Sequence, residues 1–122
     1  MNIDQQIDRE QRLVILTLTG QLTDDELLGV ADLIEGNPAI SKDFGFLIDL
    51  RHADGSAITS AGVRKMASRK LALNASSRRA VVVPSALGFG MARMYEQLRT
   101  EGAPRVFTDF DEAFRWAATG IP

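Results

Sequence analysis

The side chains of this 122-residue chain that could do chemistry cluster after one aliphatic run. Phe44 to Leu50 reads FGFLIDL, so Asp49 ends an apolar stretch, His52 and Asp54 follow it, and Ser60 comes six residues later. A carboxylate, an imidazole and a hydroxyl can act as orienter, base and nucleophile, provided that they lie within hydrogen-bond reach of one another. An unrecognised enzyme using Asp49, His52 and Ser60 is therefore one reading. The reading adopted is that none of them is catalytic, with Asp49 capping a loop and His52 a solvated loop histidine; His52, Asp54 and Ser60 are instead candidates for binding a ligand, since α/β folds place ligands at the carboxyl ends of the strands. His52 is the only histidine and there is no cysteine, too few donors for a typical zinc set, so no metal site is expected.

Asp49, in Leu-Asp-Leu-Arg at a strand end, also suggests the phosphoacceptor of a bacterial receiver domain. That chemistry needs an acidic pair after the first buried strand and a lysine after the last, where this chain offers Gln21 and Arg105. A second candidate segment is Ser85-Ala86-Leu87-Gly88-Phe89-Gly90. Small residues such as Ser85, Gly88 and Gly90 at the start of a helix let backbone approach a ligand, and free amides there can hold an anion. Arg93 stands where a dinucleotide fingerprint needs its third glycine, and no Gly-Lys-Ser/Thr follows, so tight helix–sheet packing is the plainer account. On the same helix, Phe89 and Tyr95 fall off the Leu87-Met91-Met94-Leu98 stripe, which leaves one of them available as a partner anchor.

Charge is distributed unevenly. Net charge is −2, yet residues 55–95 hold seven arginines and lysines and no acid. Arg64, Lys65, Arg69 and Lys70 share one predicted helix, while Asp24, Asp25, Glu26, Asp32 and Glu35 crowd the helix before it. The basic set is either a solvated face partly neutralised by that acidic helix or an attractor for an anionic head group, a phosphate or an acidic protein. Nucleic acid is not expected: the isoelectric point is about 5.3 and no aromatic residue interleaves the basic set.

The elements that must position these residues are legible. Ile3 and Ile7 suit a weak edge strand. Leu13 to Thr19 (LVILTLT) reads as a buried strand ending at Gly20, the two forming a hairpin. Thr23-Asp24-Asp25-Glu26 is a capping box, Leu22 and Leu27 form a hydrophobic staple, and Leu27, Ala31 and Ile34 mark the inward face of the helix that follows. Phe44 to Leu50 is a second buried strand, its continuous apolar run implying cover on both faces. The loop Arg51 to Gly55 leads to a helix from about Ser56–Ser60 to Leu73, with Val63, Met66, Ala67 and Lys70 on one face. Arg79 to Val83 is a third buried strand, and Ser85 caps a third helix. Arg105 to Phe107 is a short strand. Asp109 to Glu112 is another capping box, opening a last helix with Phe110, Ala113, Phe114 and Ala117 inward and Gly120 and Pro122 at its end. The order β-β-α-β-α-β-α-β-α implies an α/β fold with a mostly parallel sheet and right-handed crossovers.

Length and a 45% hydrophobic composition fit one domain spanning residues 1–122 with a core of its own. No apolar run approaches the ~20 residues of a membrane span. The start, Met1-Asn2-Ile3-Asp4, lacks a signal-peptide pattern, so a cytoplasmic protein is expected.

Leu47-Ile48-Asp49-Leu50 with its following loop and helix, then Ala80-Val81-Val82-Val83, then Val106 to Trp116 with its Phe-x-Asp-x-x-Glu-Ala-x-x-Trp pattern, together resemble the SpoIIAA-like STAS domains, whose divergent members are called STAS/SEC14-like. The resemblance covers nearly the whole chain through element order. It implies a bacterial regulatory or ligand-binding module without cofactor or enzymatic activity, acting through a protein partner or a small ligand. The SEC14-like label implies an alternative, a binder of anionic amphipathic small molecules in an apolar pocket rimmed by Arg or Lys. In anti-sigma-factor antagonists the second helix opens with Asp-Ser-Ser-Gly, and the first serine is phosphorylated. This chain reads Thr59-Ser60-Ala61-Gly62, so Ser60 matches the phosphorylated position and Gly62 the glycine, while Thr59 and Ala61 depart from the pattern. A homodimer pairing acidic and basic faces is a further possibility.

Overall fold

In the computed structural model, which describes residues 1–35, 43–68, 78–84, 86–99 and 104–120, five strands and four helices alternate as the sequence pattern requires. The strands are β1 (Asn2–Asp8), β2 (Leu13–Gln21), β3 (Gly45–Asp54), β4 (Arg79–Val82) and β5 (Arg105–Phe107); the helices are α1 (Asp24–Glu35), α2 (Ser60–Ser68), α3 (Ala86–Leu98) and α4 (Phe110–Thr119). The strands form one sheet in the order β1-β2-β3-β4-β5. β1 runs antiparallel to β2 and every other pairing is parallel. With the parallel strands laid down consecutively, right-handed crossovers carry α1, α2 and α3 over one face. α4 lies on the other, against β3, β4 and β5.

Two apolar clusters follow from the pleat, which sends successive side chains to opposite faces. Val14, Leu16, Leu18 and Phe46 join Leu22, Val30 and Phe44 on the α1 side, with Ile3, Ile7 and Leu27 packed against them. Leu13, Leu47, Ala80, Val82 and Phe107 meet Ala113 and Ala117 on the α4 side, where Phe110, Phe114 and Trp116 pack around the rim. Burying each of the large members stabilises the fold by roughly 2–3 kcal/mol. α4 can lie this close because Gly45 has no side chain: a Cβ there would come within 2.7 Å of the Ala117 carbonyl oxygen.

Several expectations need correction. β3 does not stop at Leu50. A register shift between Thr17 and Thr19 of β2 lets pairing resume, with Thr19 opposite His52 and Gln21 opposite Asp54, so both strands run on beyond their apolar cores. His52 and Asp54 are therefore ladder residues, not loop residues. On α1 the buried residue is Val30, with Leu27 half-buried beside it; the side chains of Ala31 and Ile34 lie outside the described residues. Val63, Met66 and Ala67 face inward on α2 as expected, whereas Lys70 and the expected extension to Leu73 lie outside the described residues. On α3, Met91 and Met94 are half-buried, but Leu98, the last residue of the helix, is exposed.

Candidate functional site

Of the residues singled out in the sequence, Ser60 lies at the N-terminus of α2, while His52 and Asp54 lie in β3. Thr59 is the capping residue, its hydroxyl accepting from the Gly62 amide at 3.0 Å. Thr59 is itself held by Asp24, the first residue of α1. Its amide donates to Asp24 Oδ1 at 3.0 Å and its hydroxyl to Asp24 Oδ2 at 2.6 Å. The Thr59 hydroxyl bond, with the amide bond beside it, lowers the Asp24 pKa below the usual carboxylate range. Gly62 makes this clamp possible, since a Cβ there would fall 2.2 Å from the Asp24 carboxyl group. Asp24 is presented in turn by the expected capping box: the Glu26 amide donates to the Thr23 hydroxyl and the Thr23 amide to the Glu26 carboxylate, both at 3.2 Å. The α-amino group of Met1 also pairs with Glu26, at 3.2 Å, and lowers its pKa.

The other carboxylates near these strand ends are committed as well. Asp54 accepts from the Ser56 amide at 2.9 Å, which lowers its pKa, and the Asp54 carbonyl accepts from Leu22 at 2.9 Å, tying the two strand ends together. Asp49 is 3% exposed and points to the α4 side. It accepts from Arg51 three times: the backbone amide and Nε at 3.0 Å and Nη2 at 2.9 Å. Burial would raise the Asp49 pKa, but these bonds outweigh it and the net shift is downward. The Arg51 guanidinium stacks 4.6 Å from the centre of the Phe110 ring, so the pair latches β3 to the start of α4. Asp109 caps α4, accepting from the Glu112 amide at 3.0 Å.

The structure thus separates the residues that sequence reading grouped. His52 is exposed on β3, close enough to Asp49 to favour its charged form. Ser60 is exposed as the first residue of α2. No hydrogen bond joins Asp49, His52 and Ser60, and Asp49 is spent on Arg51. Asp49 does cap a local amide, two residues on, although within the strand and not in a loop. Ser85 lies outside the described residues. Gly88 and Gly90 lie in α3, and nothing among the described residues comes within 4 Å of a Cβ built on Gly90. Tyr95 is half-buried, and burial raises its phenol pKa; the side chain of Phe89 is outside the described residues.

The basic stretch also divides. Arg64 and Lys65 are exposed on α2, while Arg69 and Lys70 lie outside the described residues. Arg78 is on the far side of the sheet, donating to the carbonyls of Ala117 at 3.2 Å and Ala118 at 3.1 Å at the C-terminal end of α4. Arg79 is 8% exposed beneath α3, where burial and the neighbouring Arg99 lower its pKa. Arg93 pairs with Glu96 at 2.7 Å. The Asp24–Thr59 clamp was not anticipated. Thr59 is a residue type favoured as a helix N-cap, but nothing local marks Asp24, 35 residues away, as its partner.

An open depression lined by Gln6, Ile7, Asp8, Arg9, Glu10 and Ile15 lies at the β1–β2 turn, at the opposite end of the strands from Ser60. Among the described residues no group of three or more His, Asp or Glu side chains could hold a metal ion, and no helix is long and apolar enough to cross a membrane.

No family model matches the chain. No curated protein matches it either. Among solved structures, it is similar to an uncharacterised protein of the DUF3478 family with a SpoIIAA-like fold from Shewanella loihica PV-4, at 16% identity and a TM-score of 0.59, over 95% of this chain and 92% of that one. With the element order, the sheet topology and that likeness in hand, the fold of this chain is SpoIIAA-like, an α/β arrangement with a largely parallel five-stranded sheet.

Proposed function

We propose that this protein is a non-enzymatic regulatory module whose protein partner docks on the surface around the N-terminus of α2, at Ser56, Thr59, Ser60, Arg64 and Lys65. The observation that carries this reading is the commitment of Asp24, Asp49, Asp54 and Asp109 to backbone caps or to Arg51, while Ser60, Arg64 and Lys65 stand exposed on a helix held in place by the Asp24–Thr59 clamp. Carboxylates already bonded in this way suit a rigid recognition surface better than proton transfer. Exposed cations on the first two turns of α2 favour a partner with an acidic face. Ser60 is the position at which a phosphoryl group would alter such docking, as in the anti-sigma-factor antagonists that the Thr59–Gly62 segment resembles.

The test places a photoreactive residue at Ser60 or Lys65 and, as a control, at Thr119 at the end of α4. Both α2 positions should cross-link to the same protein from cell extract, Thr119 should not, and R64E/K65E should lose the adduct in the Ser60-labelled chain. Equal labelling from Thr119 would overturn the reading. So would native mass spectrometry showing a stoichiometric amphipathic anion on the purified chain with no position-specific adduct, which favours the SEC14-like alternative.

A further inference from the structure

Among the described residues the sheet ends in two edge strands, β1 and β5, and they are built differently. β5 is three residues long and follows Pro104, and its Arg105 lies 5.4 Å from the ring centre of Phe107 and 5.6 Å from that of Trp116 on α4. Shortness, a nearby proline and a charged side chain are the usual guards against edge-to-edge pairing. β1 has seven residues, pairs with β2 without a bulge from Asn2 opposite Thr19 to Asp8 opposite Leu13, and contains neither proline nor lysine. It is the outermost strand, so one row of its backbone N–H and C=O groups faces away from the sheet.

The side chains of β1 are complementary to a second copy of themselves. Asn2-Ile3-Asp4-Gln5-Gln6-Ile7-Asp8 is nearly palindromic about Gln5. In an antiparallel pair centred there, Ile3 faces Ile7 of the other copy on the side of the sheet carrying Leu16 and Leu18. Asp4 faces Gln6, and Asn2 faces Asp8, on the opposite side. Every acid therefore meets an amide donor, and the two half-buried isoleucines gain apolar neighbours. The backbone narrows the choice of register. A residue whose amide points outward can pair only with another whose amide points outward, so registers change in steps of two. The neighbouring register on one side places Asp4 against Asp4, and that on the other places Asp4 against Asp8 twice. The register of greatest overlap is the one in which no acid faces an acid.

We propose that β1 is a homodimerisation edge, two copies pairing antiparallel about Gln5 to form one continuous ten-stranded sheet. The pairing supplies roughly six to eight ladder hydrogen bonds, depending on which alternate residues face outward. It leaves α2 and Ser60 free, so it is independent of the docking surface proposed above.

Sedimentation velocity on the intact chain should show a concentration-dependent species of twice the 13.3 kDa chain mass. Gln6 is exposed, so substitutions there test the interface without touching the core. Q6E sets a like charge against Asp4 at two symmetric places and should weaken the dimer about tenfold; Q6K should tighten it by a similar factor. Since the chain has no cysteine, Q5C reads the register directly. Residue 5 faces its own copy and should form an interchain disulfide on mild oxidation, whereas position 4 faces position 6 and D4C should not, its Cα atoms lying beyond the ~7 Å that a disulfide can bridge. A chain that stays monomeric throughout overturns the proposal. So does a dimer indifferent to Q6E and Q6K, or one in which D4C cross-links as readily as Q5C.

Discussion

Replacing Arg51 by alanine should cost more stability than replacing its partner Asp49 by asparagine, although both break the same ion pair. The Arg51 side chain is 39% exposed and that of Asp49 4%. In D49N the Arg51 head group turns into water, and the bond from the Arg51 amide survives on the asparagine oxygen. The loss is the charge-assisted part of two hydrogen bonds, about 1 kcal/mol after allowing for solvent screening. In R51A a carboxylate remains in a site it cannot leave, with one backbone donor. Removing one partner of a buried pair costs about 3–5 kcal/mol, and the surviving amide bond places this case near the lower end. Losing the contact with Phe110 adds about 0.5 kcal/mol. The expected gap between the variants is therefore about 2 kcal/mol at pH 7, read from urea unfolding followed by fluorescence of Trp116, the only tryptophan.

The pH dependence separates the two variants further. In the native chain the Asp49 pKa is lowered, so the pair's contribution is complete above the ordinary carboxylate range and is lost as pH falls through the depressed value. In R51A burial goes largely unopposed and raises that pKa, so the penalty fades as pH falls and the carboxyl group takes up a proton in the folded state. The cost of D49N should stay constant over the same interval. An R51A variant that costs less than D49N at pH 7, or whose penalty does not shrink on acidification, would refute this account of the latch.

G62A should lower the melting temperature by several degrees, reversing the usual ~1 kcal/mol gain of alanine over glycine inside a helix, because its Cβ displaces the Asp24 carboxyl group from Thr59; thermal unfolding followed by circular dichroism checks the sign. R78A should destabilise by about 1–2 kcal/mol, as two carbonyls at the end of α4 lose their donor, and amide exchange should rise in the last turn of α4 before it rises elsewhere. D109A should cost about 1 kcal/mol through the lost cap at the other end of that helix, measured by urea unfolding.

What the chain determines by itself is local. Aliphatic runs at Leu13–Leu18 and Phe46–Leu50, capping boxes at Thr23–Glu26 and Asp109–Glu112, and Gly120 past the last helix each act over a few residues, so element order, fold class and the two caps could be read directly. Contacts between distant segments were decided only by the folded arrangement. The extension of β3 through His52 to Asp54 depends on an extra residue of β3 between Asp49 and His52, set against Thr17 to Thr19 of β2. The clamp of Asp24 on Thr59 depends on two helix N-termini meeting over Gly62. The basic residues between 64 and 93 looked like one patch because charge was counted along the chain. The sheet then sent Arg78 to the end of α4, buried Arg79 beneath α3, and left Arg64 and Lys65 facing solvent. Hydrogen bonds and ion pairs are formed by neighbours in space, and a linear pattern specifies spatial neighbours only within one helical turn or one strand.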